Sequence, residues 1–153
     1  MVDFSWIKSL SADTKLSIAS DIHTDAEVLD FLSRDRDVKV RRAVSMNRGT
    51  SVPTMVKLVE SSIDDPGTLQ NIAIECKNPE VLRAVGKCRS SRVLVFLARN
   101  PKTPTNVLTD LAKREKRGIV IHELYLNPKT PKEVKKQLED NNVIKRLLKT
   151  NST

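Results

Sequence analysis

Three features of this sequence predict an all-α fold built from repeated helix pairs. First, the pentapeptide Asn-Pro-Lys-Thr-Pro begins at Asn100 and again at Asn127, 27 residues later. A verbatim repeat at that period marks a stacked architecture in which each unit buries its apolar face against its neighbours. Second, aromatic residues make up only 3% of the chain and there are four glycines, whereas sheet-rich proteins use more of both. Third, apolar residues recur at i, i+3 and i+4, as in Val40, Ala43 and Val44 or Leu69, Ile72 and Ala73. That is the spacing of a buried helical face. With 153 residues the chain suits one domain with a sizeable core.

The elements follow in order. Phe4, Ile7 and Leu10 space an N-terminal capping helix near residues 3–10. The first helix of each pair is expected near 13–20, 37–46, 67–76, 91–99 and 117–126, with Asp13 and Asp37 as N-caps of the first two. Segments inside them start at 15, 39, 68, 92 and 118, so the period drifts between 24 and 29 residues. Second helices are expected near 25–33, 51–62, 79–87, 104–114 and 131–140. Ile144, Leu147 and Leu148 space a last helix near 142–149. The organisation is thus one repeat domain over 1–153, with an N-terminal cap (1–12), repeats (13–140) and a C-terminal cap and tail (141–153).

The pentapeptide's turn chemistry is explicit. Pro101 disfavours helix at Asn100 and so ends the preceding helix. Thr103 is placed to cap the next helix through its hydroxyl, with Pro104 at the first helical position. Thr130 and Pro131 repeat the arrangement. Gly49 and Gly67 read as turn residues, Gly86 lies late in a helix and Gly118 near a helix start.

Asp35-Arg36-Asp37-Val38-Lys39-Val40-Arg41-Arg42-Ala43-Val44, followed by a polar turn and a Pro-containing helix, resembles the leucine-rich repeat variant family. So does Leu97-Ala98-Arg99-Asn100-Pro101-Lys102-Thr103-Pro104 with Val107, Leu108, Leu111 and Ala112. The resemblance covers residues 13–140. It implies a right-handed α-solenoid of about five degenerate two-helix repeats, close to HEAT and armadillo arrays, with terminal capping helices. It supplies no catalytic motif. The chain also lacks the cysteine cluster that binds iron–sulfur in some members.

The net charge of +8 is unevenly spread. Residues 1–80 carry 10 Lys/Arg against 13 Asp/Glu, residues 81–117 carry 10 against 2, and residues 118–153 carry 7 against 4. A basic run of this kind suggests an anionic partner. The candidate patch comprises Arg83, Lys87, Arg89, Arg92, Arg99, Lys113, Arg114, Lys116 and Arg117, with Lys102 nearby. Arg83 and Lys87 share a helix face at i, i+4. Stacking would bring the Lys87–Arg92 turn and the Lys113–Arg117 turn to one edge. Against this, Lys and Arg at helix C-termini also complement the helix dipole.

Other chemistries find little support. His23, Cys76, Cys88 and His122 show no metal-ligand spacing. The glycines form no phosphate-binding loop. His122 and Glu123 are adjacent on a helix and diverge by about 100°. Asp35 and Asp37, flanking Arg36 and preceding Arg41, read as capping and ion pairing. Cys76 and Cys88 read as buried free thiols. Trp6, Phe31 and Phe96 read as packing residues, and Tyr125 as packing or contact. No run approaches the roughly 20 apolar residues of a membrane span, and the N-terminus lacks signal-peptide character, so a cytoplasmic home is expected.

The expected function is a non-enzymatic scaffold or adaptor that engages an acidic surface of another protein, without cofactor or small-molecule substrate. Nucleic-acid binding through the same cations in residues 81–117 is the second reading, which the scarcity of stacking aromatics disfavours. The third is an enzyme such as a nucleic-acid glycosylase or hydrolase, for which Glu75, Asp110 or Glu115 would supply the acid.

Overall fold

The computed structural model describes residues 3–62 and 65–150. Helices are the regular structure of those residues, with no strand among them: α1 (Ser5–Lys8), α2 (Ala12–Ser20), α3 (Ala26–Leu32), α4 (Val38–Met46), α5 (Val52–Ser61), α6 (Pro66–Glu75), α7 (Pro79–Val85), α8 (Ser91–Arg99), α9 (Thr105–Arg114), α10 (Gly118–Leu126), α11 (Lys132–Leu138) and α12 (Asn142–Thr150). The helices pack in two rows. Along one, α2, α4, α6, α8, α10 and α12 contact each other in succession; in the other, α5 packs on α7 and α9 on α11. Cross-contacts such as α2 with α3 and α6 with α7 join the rows.

The helical spacing seen in the sequence is what fills the space between the rows. In α8, Val93 and Leu97 form one i, i+4 pair and Leu94 and Ala98 another, and all four are fully buried. Leu69, Ile72, Leu82, Leu108, Leu111 and Leu124 continue the same core. Truncating one such leucine to alanine typically costs about 2–5 kcal/mol. At the ends, Ile7 and Ile144 are fully buried, while Leu148 is partly exposed. Residues 1–2 and 151–153 of the expected caps, and the Leu147 side chain, lie outside the described residues.

Five helix starts, those of α2, α4, α5, α6 and α7, are capped by side chains. Ser11, Asp37, Ser51, Asp65 and Asn78 each accept from backbone N–H groups of the following turn, satisfying donors that a helix start leaves orphaned. The cap of α2 is therefore Ser11; Asp13 sits within the first turn, where its charge still favours the helix start. Gly67 lies in the first turn of α6 rather than in a preceding turn. An added β-carbon there would collide with the Arg42 guanidinium.

The pentapeptide performs a different task from the one its sequence suggests. The Thr103 hydroxyl turns back and donates to the Leu97 carbonyl, 2.6 Å away, so it closes the turn on the helix just finished instead of capping the next. Thr24 and Thr50 donate likewise to Ile18 and Val44. Thr130 is buried in the corresponding place, but its hydroxyl has no partner among the described residues. Pro104 and Pro131 are N-cap residues, with α9 and α11 beginning one residue later. The asparagine forms the longest-range contact of the motif. Asn100 Nδ2 donates to the carbonyls of Ala73 and Cys76, each 2.8 Å away, at the end of α6. Asn47 reaches Ala19 and Asp21 in the same way, and Asn127 reaches Ala98 and Asn100. Each Asn Oδ1 accepts a backbone N–H two residues on. These ties join each of the three asparagine turns to the one before it.

Candidate functional site

The helix-pair arrangement sets two kinds of turn at opposite ends of the helices. Turns that lead from the second row back to the first carry most of the basic run. Arg83, Lys87, Arg89, Arg92, Lys113, Arg114, Lys116 and Arg117 are all exposed there. Two arginines bridge successive turns of this edge. Arg114 donates to the Gly86 carbonyl, and Arg117 Nη1 donates to the Arg89 carbonyl at 2.7 Å. These bonds satisfy the carbonyl of the α7 C-cap, Gly86, and that of Arg89 in the turn beyond it, so both arginines serve a structural role there. Arg117 is further held by Glu115, with Nη2–Oε2 2.6 Å apart and Glu115 itself buried.

Between α7 and α9 runs a groove of about 580 Å³, with Val107 and Leu111 on its floor. Its charged lining is Arg83, Lys87, Lys113 and Arg114 against the single carboxylate of Asp110. Gly86 permits the close approach of the two helices: a β-carbon at Gly86 would stand 3.0 Å from Val107 Cγ1. Among the described residues Arg83, Lys87, Arg89, Arg92, Lys113 and Lys116 enter no ion pair or side-chain hydrogen bond. Cations crowded together without internal partners favour an anion from outside.

Arg99 does not join this edge. It ends α8 at the opposite end, with Lys102 in the following turn, and pairs with Glu123 (Nη2–Oε1 2.7 Å) while lying over the Phe96 ring at 5.9 Å. The Arg99 hydrogen bond, aided by one from His122, holds the Glu123 carboxyl below the usual carboxylate range despite its burial. His122 and Glu123 meet at 3.3 Å, since the carboxylate that reaches Arg99 also passes the imidazole of its neighbour.

In the N-terminal half the charges pair with one another. Lys15 meets Asp35 at 3.2 Å, and Arg42 meets Asp65 at 3.0 Å. Arg41 donates through Nη1 to the Asp35 and Arg36 carbonyls and sets Nη2 3.8 Å from Asp65. Burial would raise the Asp65 carboxyl, but hydrogen bonds from Thr68 and Arg42 outweigh it and leave it lowered.

The remaining candidates are dispersed. Glu75 and Asp110 are exposed, and Glu115 is buried in its pair with Arg117. Cys76 and Cys88 are free and half-buried rather than buried, and desolvation raises the Cys76 thiol above its ordinary value. Among the described residues no three His, Cys, Asp or Glu side chains gather as a metal site. Trp6 is 53% exposed, not packed. Phe31 and Phe96 only border the core, the Phe31 ring lying tilted against that of Phe4. Tyr125 is half-buried, with Lys135 over its ring and Glu139 at its hydroxyl. No described helix is long and apolar enough to cross a membrane.

No protein-family model, curated protein or solved structure matches the chain.

Proposed function

We propose that this chain is a non-enzymatic α-solenoid scaffold of the leucine-rich repeat variant kind, acting in the cytoplasm by binding an acidic surface of a partner protein. In this reading about five helix pairs over residues 13–140 wind with a right-handed sense between capping helices. The two rows of successively packed helices and the turn-to-turn asparagine ties support it.

The observation that carries the binding role is the α7–α9 groove. Arg83, Lys87 and Lys113 stand around an apolar floor and are used by no internal pair. Cations committed to holding the fold pair with carboxylates or helix-end carbonyls, as Arg99, Arg114 and Arg117 do. These three are left for a partner, and complementary charge of this kind mainly speeds association and selects the partner. The floor of Val107 and Leu111, and the carboxylate of Asp110 in the wall, suit a protein surface better than a phosphate backbone.

The test is retention of partners from native lysate on the immobilised chain, with and without nuclease, for the wild type and for the triple variant Arg83→Glu, Lys87→Glu, Lys113→Glu. The expected result is a nuclease-resistant protein held by the wild type and lost by the variant, with circular dichroism unchanged. Retention that ignores the charge reversal would remove the groove from the account. Capture that vanishes with nuclease, together with duplex binding that weakens steeply with salt, would reassign the edge to nucleic acid.

A further inference from the structure

One turn breaks the pattern of the others. From the C-cap of α8 to the N-cap of α9 the chain runs Asn100 to Pro104; from the C-cap of α6 to the N-cap of α7 it runs only Cys76 to Asn78. Two residues are missing, and with them the threonine that closes the turn. Cysteine also stands where asparagine ties the turn to its predecessor. At the other junctions the asparagine amide bonds the preceding C-cap carbonyl and one two residues before it: Asp21 and Ala19, Asn100 and Ala98. The equivalent acceptors facing Cys76 are the carbonyls of Asn47 and Ser45. No side-chain donor reaches either one among the described residues, because the Cys76 thiol points within its own turn, to the Asn78 carbonyl.

A cavity of about 580 Å³ opens at this untied junction, walled by Ser45 and Cys76 and by the apolar Met55, Ile72 and Val81. Met46 and Arg48 line it and also line a second cavity of about 770 Å³ between α2 and α4, floored by Leu16 and Ala43. The two form one groove. Met46 and Ile22 stand 65% and 69% exposed at its rim. Met46 and Met55 are the only methionines besides Met1; their flexible thioethers suit a surface that moulds to a partner. Lys39, Arg42, Arg48 and Lys77 edge the groove against one carboxylate, Glu75.

We infer that this groove binds an extended, acidic peptide segment of another protein, with an N–H donor of that segment taking the place of the missing asparagine amide. The segment's carboxylates meet Arg48 and Lys77. Its apolar anchors enter beside Met55 and between Met46 and Ile22. Successive helices lie roughly 8–10 Å apart, which an extended chain of polyproline-II type, at about 3.1 Å per residue and three residues per turn, covers in one turn, so anchors three residues apart share a face and fit both cavities. The Asn47 carbonyl accepts the Thr50 N–H within its own turn and keeps a second lone pair for a further donor; carbonyls that lack a side-chain donor and methionine walls favour a peptide over a polyanion. The inference rests on the scaffold reading but not on the basic α7–α9 edge.

The experiment pans a random peptide phage library on the immobilised full chain. Enriched peptides are then made with fluorescein and titrated by polarisation against the wild type, a groove variant (Met46→Glu, Arg48→Glu) and the basic-edge variant (Arg83→Glu, Lys87→Glu, Lys113→Glu). The groove substitutions fall on exposed side chains, and circular dichroism checks the fold. Enriched sequences are expected to pair acidic residues with apolar anchors three apart. They should bind the groove variant about tenfold or more weakly and the basic-edge variant about as well as wild type. In a Cys88→Ser background, bound peptide should also slow alkylation of Cys76. Peptides whose binding follows the basic-edge variant would sink the groove and leave the scaffold reading standing. Peptides without acidic residues, or no enrichment while a nuclease-resistant protein is still retained, would equally overturn the groove alone. No enrichment and no retained protein would remove both.

Discussion

Asn100→Ala takes three short hydrogen bonds from a side chain that is 5% exposed. Two run from Nδ2 to the Ala73 and Cys76 carbonyls and one from the Lys102 N–H to Oδ1, each 2.8 Å. A net loss near 1 kcal/mol per bond, plus the desolvation left with the unpaired carbonyls, gives about 2–4 kcal/mol. Asn100→Asp is the sharper test. It keeps the acceptor for Lys102 but turns a carboxylate oxygen toward two carbonyl oxygens, so at neutral pH it should cost at least as much as the alanine. A carboxyl so placed has a folded-state pKa raised above its unfolded value. Its deficit should therefore be greatest at high pH and shrink as pH falls through the carboxylate range, where the protonated group can donate again. Asp21 makes the same local turn to the His23 N–H with no tie of its own to an earlier turn, so Asp21→Asn should shift stability by less than about 0.5 kcal/mol. Urea unfolding monitored by circular dichroism, repeated between pH 7 and pH 3.5, measures all three. An Asn100→Ala loss under about 0.5 kcal/mol, or Asn100→Asp matching wild type at neutral pH, would refute the reasoning.

Two further stability predictions follow from buried polar groups. Thr103→Val deletes the bond to the Leu97 carbonyl and should cost about 1–2 kcal/mol, whereas Thr130→Val removes a hydroxyl with no partner and should be neutral or stabilising; equal losses on denaturant titration would contradict this. Glu123 has its carboxyl held low chiefly by the Arg99 hydrogen bond, so its contribution is full above the unfolded pKa and is lost as pH falls through the lower folded value. Glu123→Gln should accordingly lower stability at pH 7 and flatten its decline between about pH 5 and pH 3, which thermal melts across that range would detect.

The helices were legible because two local signals agree: apolar residues at helical spacing, and turns made of Asn, Thr and Pro. Observed boundaries fall within a residue or two of the expected ones for most elements; α1 is shorter, since only Ile7 of its apolar set is fully buried. The work of the turn residues was less legible, because the partner of the Thr103 hydroxyl or of Asn100 Nδ2 is chosen by three-dimensional placement. The basic run illustrates the same limit. Arg99 is a neighbour of Lys102 in the chain, yet α8 carries it to the opposite end from Arg92, where Glu123 meets it. The groove around Cys76 went unread because a two-residue deletion looks like ordinary drift in the repeat period. Its signal was present, as a cysteine followed by a shortened turn and flanked by Met46 and Met55.

The ties between turns all point one way. Asn47, Asn100 and Asn127 donate to carbonyls of earlier turns, as Arg114 and Arg117 do to Gly86 and Arg89. On a chain emerging N-terminus first, each new helix pair meets acceptors that already exist and need wait for nothing still unsynthesised. Assembly can then advance with translation, adding one pair at a time to a finished end. The Cys76 turn, which grips nothing behind it, is the step at which an arriving pair relies on apolar packing and on the pairing of Asp65 with Arg41 and Arg42.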